Sequence, residues 1–170
     1  MNTVLITGAS GGIGYEFAKL FAKMNYRLIL VARNKDKLEK IANEINQQNA
    51  SVEVIIFATD LSQTENIGSL YKFTEDNNYF IDVLINNAGF GDYGYFYNTS
   101  FEKEQQMINL NITALTYLTK LYLKKMMERK SGKILNVASI ASFQPGPTMA
   151  VYFATKAYVL SFTEALAQEL

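Results

Sequence analysis

Cysteine and histidine are absent from this chain of 170 residues. Without them it cannot hold a Cys/His zinc site, a thiol nucleophile or a Ser-His-Asp triad. Acid–base chemistry near neutral pH is left to Asp, Glu, Lys and Tyr. An excess of charge of one sign is also lacking. Sixteen basic and sixteen acidic residues cancel, so nothing indicates a nucleic-acid footprint or an acidic-membrane anchor. No apolar run approaches the roughly 20 residues needed to span a bilayer. The segment Met1-Asn-Thr-Val-Leu-Ile-Thr7-Gly8 has no basic region and stops at glycine. It reads as a first strand, not a signal peptide, and a cytoplasmic location is expected, with which the missing cysteines are compatible. Apolar residues make up 49% of the chain and charged ones 19%. That balance fits one soluble α/β-type domain over residues 1–170 with a real core.

Strand-like and helix-like stretches alternate along the whole chain. Strands are expected at Val4–Thr7, Arg27–Val31, Val52–Phe57, Val83–Asn86 and Lys133–Ala138. Helices are expected from Gly12 to Met24 with Ile13, Phe17, Leu20 and Phe21 at helical spacing, and from Asn34 to Asn46 with Leu38, Ile41 and Ile45 on one face. A third is marked by Ile67, Leu70, Tyr71 and Phe73, a long one runs from Phe101 to Arg129, and a last one starts near Val151. Strands apolar on both faces and separated by helices predict a doubly wound parallel sheet with strands one to five present. The fifth, Ile134-Leu-Asn-Val-Ala138, reads as an interior strand, yet nothing after it can pair at its outer edge. The closing run Leu166–Leu170 carries no cap or turn signal. A missing C-terminal part with later strands, or a covering partner chain, is therefore expected.

Thr7-Gly8-Ala-Ser10-Gly11-Gly12-Ile13-Gly14 lies between the first strand and first helix. Glycines there let backbone N–H groups approach a pyrophosphate, and the helix N-terminus adds partial positive charge. The spacing is Gly-x-x-x-Gly-x-Gly and not Gly-x-Gly-x-x-Gly, so a glycine turn without ligand stays open. About 20 residues on, where an acid would take the ribose 2′-hydroxyl, the sequence has Arg33 instead. A cation there favours a 2′-phosphate and hence NADP(H), with NAD(H) still compatible; a plain surface arginine is the alternative. Asp60-Leu61 could meet the adenine, and Asp60 could equally cap the next helix.

Ser139 follows the fifth strand, and Tyr152 and Lys156 lie one turn apart on the last helix. Residues at i and i+4 share a helix face, so an ammonium there can stabilise a phenolate. Tyr15-Glu-Phe-Ala-Lys19 repeats the spacing in the helix after the glycine loop, with no strand-end serine before it, and reads as a plain helix face.

With the glycine loop, Asn86-Asn87-Ala88-Gly89, Asn111, Ser139 and Tyr152-x-x-x-Lys156 in that order, the chain resembles the short-chain dehydrogenases/reductases over residues 1–170. The resemblance implies that Tyr152 protonates a carbonyl oxygen as a nicotinamide delivers hydride, and that Lys156 lowers the tyrosine pKa and bonds the nicotinamide ribose. Ser139 would hold the carbonyl, and Asn111 would position a proton-relay water. Taken alone, Ser139 could be a turn residue and Asn111 a solvated or backbone-bonded helix residue. Asn109 fits the family spacing less well. Asn87, Ala88 and Gly89 would lie against the cofactor, while Asn86 would brace neighbouring strands. Phe90–Tyr97 and Phe143–Met149 would flank the site as a hydrophobic substrate wall, or pack as ordinary surface. The apolar residues of the long helix exceed one stripe, which fits a homodimer or homotetramer, or burial by the missing part.

The leading expectation is an NADP(H)-dependent reductase acting on a small carbonyl or alcohol, without metal. The alternatives are a dinucleotide-binding module or inactive truncated reductase, and a dehydratase or epimerase, which usually carries another glycine spacing and a longer chain. In the family, the segment after the Tyr-Lys helix completes the cofactor clamp, so weak cofactor binding and little turnover are expected of a chain ending at Leu170.

Overall fold

The computed structural model describes residues 1–170. Its five parallel strands are β1 (Thr3–Thr7), β2 (Arg27–Ala32), β3 (Val54–Ala58), β4 (Val83–Asn86) and β5 (Lys133–Asn136), arranged in the order β3-β2-β1-β4-β5. The helices are α1 (Gly12–Lys23), α2 (Lys35–Gln48), α3 (Thr64–Asp76), α4 (Phe101–Ile108), α5 (Leu115–Glu128) and α6 (Ala150–Glu169). Every residue of β1 and β4 is buried, because side chains alternate between two covered faces. Val4 and Ile6 of β1 enter a core with Ala18, Leu38, Ile41 and Ile45 of α1 and α2. Leu5 enters the opposite one, with Ile67, Leu70, Leu118 and Tyr122 of α3 and α5. The doubly wound sheet expected from the alternation is thus present. Its strand order reverses between β1 and β4, and the crevice at the carboxyl ends of those strands is where such sheets take ligands.

Three elements depart from expectation. In α1 the buried residues are Gly14, Ala18 and Ala22, whereas Ile13 and Leu20 are 59% and 51% exposed. A helix held this close to its sheet admits only small residues at the contact, so the large apolar ones turn outward. The long helix over 101–129 is interrupted by a π turn, Asn109–Ala114, between α4 and α5. Asn, Thr and β-branched Ile form a weak helical run there, and π turns of this kind accompany functional sites. Finally, β5 ends at Asn136, pairs only with β4, and alternates between exposed and half-buried residues. It is an edge strand here, with Leu135 42% exposed. No helix is long and apolar enough to cross a membrane.

Candidate active site

The loop after β1 is wired to the loop after β4 through one hydroxyl. Thr7 Oγ1 donates to the Ile85 carbonyl (3.3 Å) and accepts from the amides of Asn87 and Ala88 (both 3.0 Å). The Asn87 side chain donates back to the carbonyls of Thr7 (3.0 Å) and Gly8 (3.2 Å). Gly8 has φ +67°, a region that L residues with side chains rarely enter. Gly14 is needed for a different reason: a Cβ there would fall on the Gly8 carbonyl oxygen and 2.6 Å from Asn87 Nδ2.

Two joined clefts open above this wiring. The first, about 960 Å³, is lined by Gly8, Gly11, Ile13, Asn87, Ala88 and Gly89, and on its other side by Ser139, Met149, Tyr152 and Lys156. The second, about 560 Å³, shares Gly8, Gly11, Ala88 and Gly89 and adds Ser10, Gly12, Arg33, Asp60 and Leu61. Every expected cofactor residue except Gly14 therefore faces one cleft or the other, and Gly14 acts behind the loop. Asp60 Oδ1 accepts from the Ser62 amide (3.0 Å) and hydroxyl (2.8 Å). It caps that turn and not α3, whose N-cap is Gln63. Leu61 is 4% exposed and belongs mainly to the core beside α3.

Ser139 lies beyond β5 and caps the turn Ile140–Phe143. Its Oγ accepts from the Ala141 amide (3.1 Å), which occupies a lone pair and leaves its single hydrogen free to point elsewhere. Ser142 Oγ donates to the Lys156 carbonyl (2.8 Å), tying this turn to α6. Lys156 is 7% exposed, and its Nζ donates to the Val137 carbonyl (2.8 Å). Burial pulls its pKa below the ordinary lysine value, because desolvation disfavours the ammonium. Tyr152 lines the first cleft. Asn111 is buried and bonded on all sides: Nδ2 donates to the Phe90 carbonyl (2.9 Å) and to Thr155 Oγ1 (3.0 Å), and Oδ1 accepts from the Phe90 amide (3.1 Å). Its side chain is thus tied to the backbone of Phe90 and to Thr155. Asn86 braces β4 as expected, donating to Thr119 Oγ1 and Asn136 Oδ1 (both 2.9 Å).

The second Tyr-x-x-x-Lys behaves differently. Tyr15 Oη donates to Glu44 (2.6 Å), and this bond is the main reason its pKa is raised. Lys19 pairs with Glu16 and sits over the Tyr15 ring.

Of the two expected wall segments, Phe90 to Tyr93 and Met149 line the first cleft, and the Gly94 amide joins them by donating to the Thr148 carbonyl (2.8 Å). Phe143 is 76% exposed outside the cleft. Sequence reasoning missed Lys37, which lines the second cleft beside Arg33 and Asn34. Asn34 caps α2 by accepting the Lys37 amide (2.9 Å), so an Arg-Asn-x-x-Lys spacing was the available signal. It also missed Thr155 and the Val137 carbonyl, which no motif marks.

The sequence matches the family described as short chain dehydrogenase over residues 2–170. It is 38% identical to the ketoacyl reductase HetN of Nostoc sp., covering 99% of this chain and 58% of that protein. The chain thus spans little more than half the length of that curated relative. Among solved structures, the bulky-bulky ketone specific alcohol dehydrogenase of Comamonas testosteroni matches with a TM-score of 0.93 at 33% identity, over 100% of this chain and 68% of that one. A short-chain dehydrogenase of Sphingobium yanoikuyae in complex with NADPH gives 0.93 at 36%, over 100% and 66%. With five parallel strands in this order and a family match over nearly its whole length, the chain belongs to the short-chain dehydrogenase family.

Proposed function

We propose that the chain binds NADP(H) across the two clefts and interconverts a carbonyl and an alcohol by hydride transfer. The observation that carries this reading is the convergence of Ser139, Tyr152 and Lys156 on a cleft continuous with the glycine loop. The residues fit a dinucleotide. A Cβ at Gly11 would meet nothing within 4 Å, so the loop has open space where a pyrophosphate would lie against the start of α1. Arg33 and Lys37 put two cations at the far end, suited to a 2′-phosphate, and the Sphingobium yanoikuyae neighbour is a complex with NADPH. Bound there, the cofactor supplies the hydride. Ser139 directs its free O–H at the carbonyl oxygen, Tyr152 gives that oxygen a proton, and Lys156 holds positive charge beside the resulting phenolate while keeping two N–H groups for the ribose. Phe90, Tyr93, Ile140 and Met149 present an apolar wall, which supports a hydrophobic carbonyl substrate. Half-exposed Tyr117 and Tyr158 on α5 and α6 support self-association through those helices.

The test is loss of NADPH absorbance over a panel of neutral ketones and aldehydes. Tyr152→Phe is expected to lower turnover by about a hundredfold or more, while Tyr15→Phe behaves as the parent. Equal turnover by Tyr152→Phe and parent would remove the reading. A second reading is a dinucleotide-binding module without turnover; NADPH binding with no absorbance loss on any panel member would establish it.

A further inference from the structure

We propose that Thr155 is a positioning residue that locks Asn111 to the helix carrying Tyr152 and Lys156; this rests on the catalytic reading above. Thr155 and Asn111 are each 1% exposed, so neither can turn to water for a partner. Thr155 Oγ1 donates its single hydrogen to the Tyr152 carbonyl (2.7 Å). Toward Asn111 it can therefore only accept, and the Asn111 atom facing it must be the amide nitrogen (3.0 Å). That choice decides the rest of the amide. Nδ2 has its second hydrogen for the Phe90 carbonyl (2.9 Å), and Oδ1 is left to accept the Phe90 amide (3.1 Å). With the amide turned over, Asn111 Oδ1 would face both the Phe90 carbonyl oxygen and the Thr155 lone pair, and Nδ2 would face the Phe90 N–H.

A threonine bonding its own helix three residues back is common and needs no partner at its lone pair. Here the partner comes from the π turn, 44 residues away in sequence. The bond is also coupled to the reacting groups. Phe90 is clamped at both backbone atoms, and its neighbours Gly89 and Gly91 lie beside the catalytic side chains, with no room for a side chain at Gly91. A Cβ at Gly89 would lie 3.7 Å from Lys156 Nζ, and one at Gly91 would lie 3.0 Å from Tyr152 Cδ2. Without the acceptor at position 155, one buried Asn111 N–H is left unpaired, and the amide that holds Phe90 is fixed by its two Phe90 bonds alone.

Thr155→Val keeps the shape and removes the acceptor; Thr155→Ser keeps the hydroxyl. With the full chain, NADPH and acetophenone as probe, Thr155→Val is expected to lower kcat by about ten- to a hundredfold. The KM for NADPH should stay within about twofold and the pH profile of kcat should shift, with Thr155→Ser restoring both. A readout independent of turnover is amide hydrogen exchange at Phe90, which should accelerate at least about tenfold in Thr155→Val and remain parental in Thr155→Ser. If Thr155→Val does not fold, Thr155→Ala is read the same way. Parental Phe90 exchange in the Val or Ala variant overturns the proposal, as does equal loss in Val and Ser, which marks a packing role. Turnover unaffected by Tyr152→Phe would remove the catalytic reading alone, and the exchange measurement would still decide the wiring.

Discussion

Replacing Gly14 by alanine adds one methyl group at the tightest contact in the cofactor loop. Its Cβ would overlap the Gly8 carbonyl oxygen and lie 2.6 Å from Asn87 Nδ2 and 2.9 Å from the Gly8 carbonyl carbon. Relief needs a shift of roughly 1 Å, since non-bonded carbons settle at about 3.5 Å or more. The far end of a flexible side chain cannot absorb it, because the main obstacle is backbone, and α1 is seated by buried Ala18 and Ala22. Overpacking of this kind costs about 3 kcal/mol at the upper end of its usual range. Loosening the Asn87 bonds to Thr7 and Gly8 adds about 1 kcal/mol, and the better helix propensity of alanine returns about 1 kcal/mol. The net loss is about 3 kcal/mol, or a Tm lower by about 6–12 °C for a chain of this size. The displaced loop should also weaken NADPH binding at least about tenfold, read by thermal unfolding and calorimetric titration. Gly11→Ala is the contrasting variant. Beyond its chain neighbours nothing lies within 4 Å of its Cβ, so Tm should hold while NADPH affinity falls. A Gly14→Ala protein melting within about 1 °C of the parent would refute the reasoning.

Two further outcomes are expected. The pKa of Lys156 is lowered in the fold from 10.5, so between its folded value and 10.5 the unfolded chain holds more protons and the parent gains stability as pH rises. Below that window both states are protonated and the burial cost is fully present. Lys156→Met removes this term, so its stability relative to the parent should decline as pH climbs toward 10.5; denaturant midpoints whose difference stays constant from about pH 7 to about pH 10 would contradict the assignment. Arg33→Ala and Lys37→Ala should each weaken NADPH by about tenfold and leave NADH nearly unchanged; equal losses for both cofactors in titration would show that neither cation reads the 2′-phosphate.

The sequence by itself determined the alternation of elements, the sheet class, and the Tyr-Lys and glycine-loop motifs, because these depend on periodicity and short-range spacing. Leu38, Ile41 and Ile45 show the case where that reading succeeds: a helix exposed on one side reports its buried face through a repeat of about 3.6 residues. In α1 the same reading picked Ile13 and Leu20, which are exposed, because close approach to the sheet selects for smallness and not for hydrophobicity. The tertiary structure alone decided which partner each polar group meets. Tyr15 and Tyr152 share one spacing to lysine, yet Tyr15 faces a carboxylate from α2 and Tyr152 faces a cleft. Thr155, unmarked in the sequence, receives Asn111 from a π turn 44 residues away. Such contacts are set by how neighbouring helices dock side by side on one face of the sheet, and spacing along the chain carries no record of that.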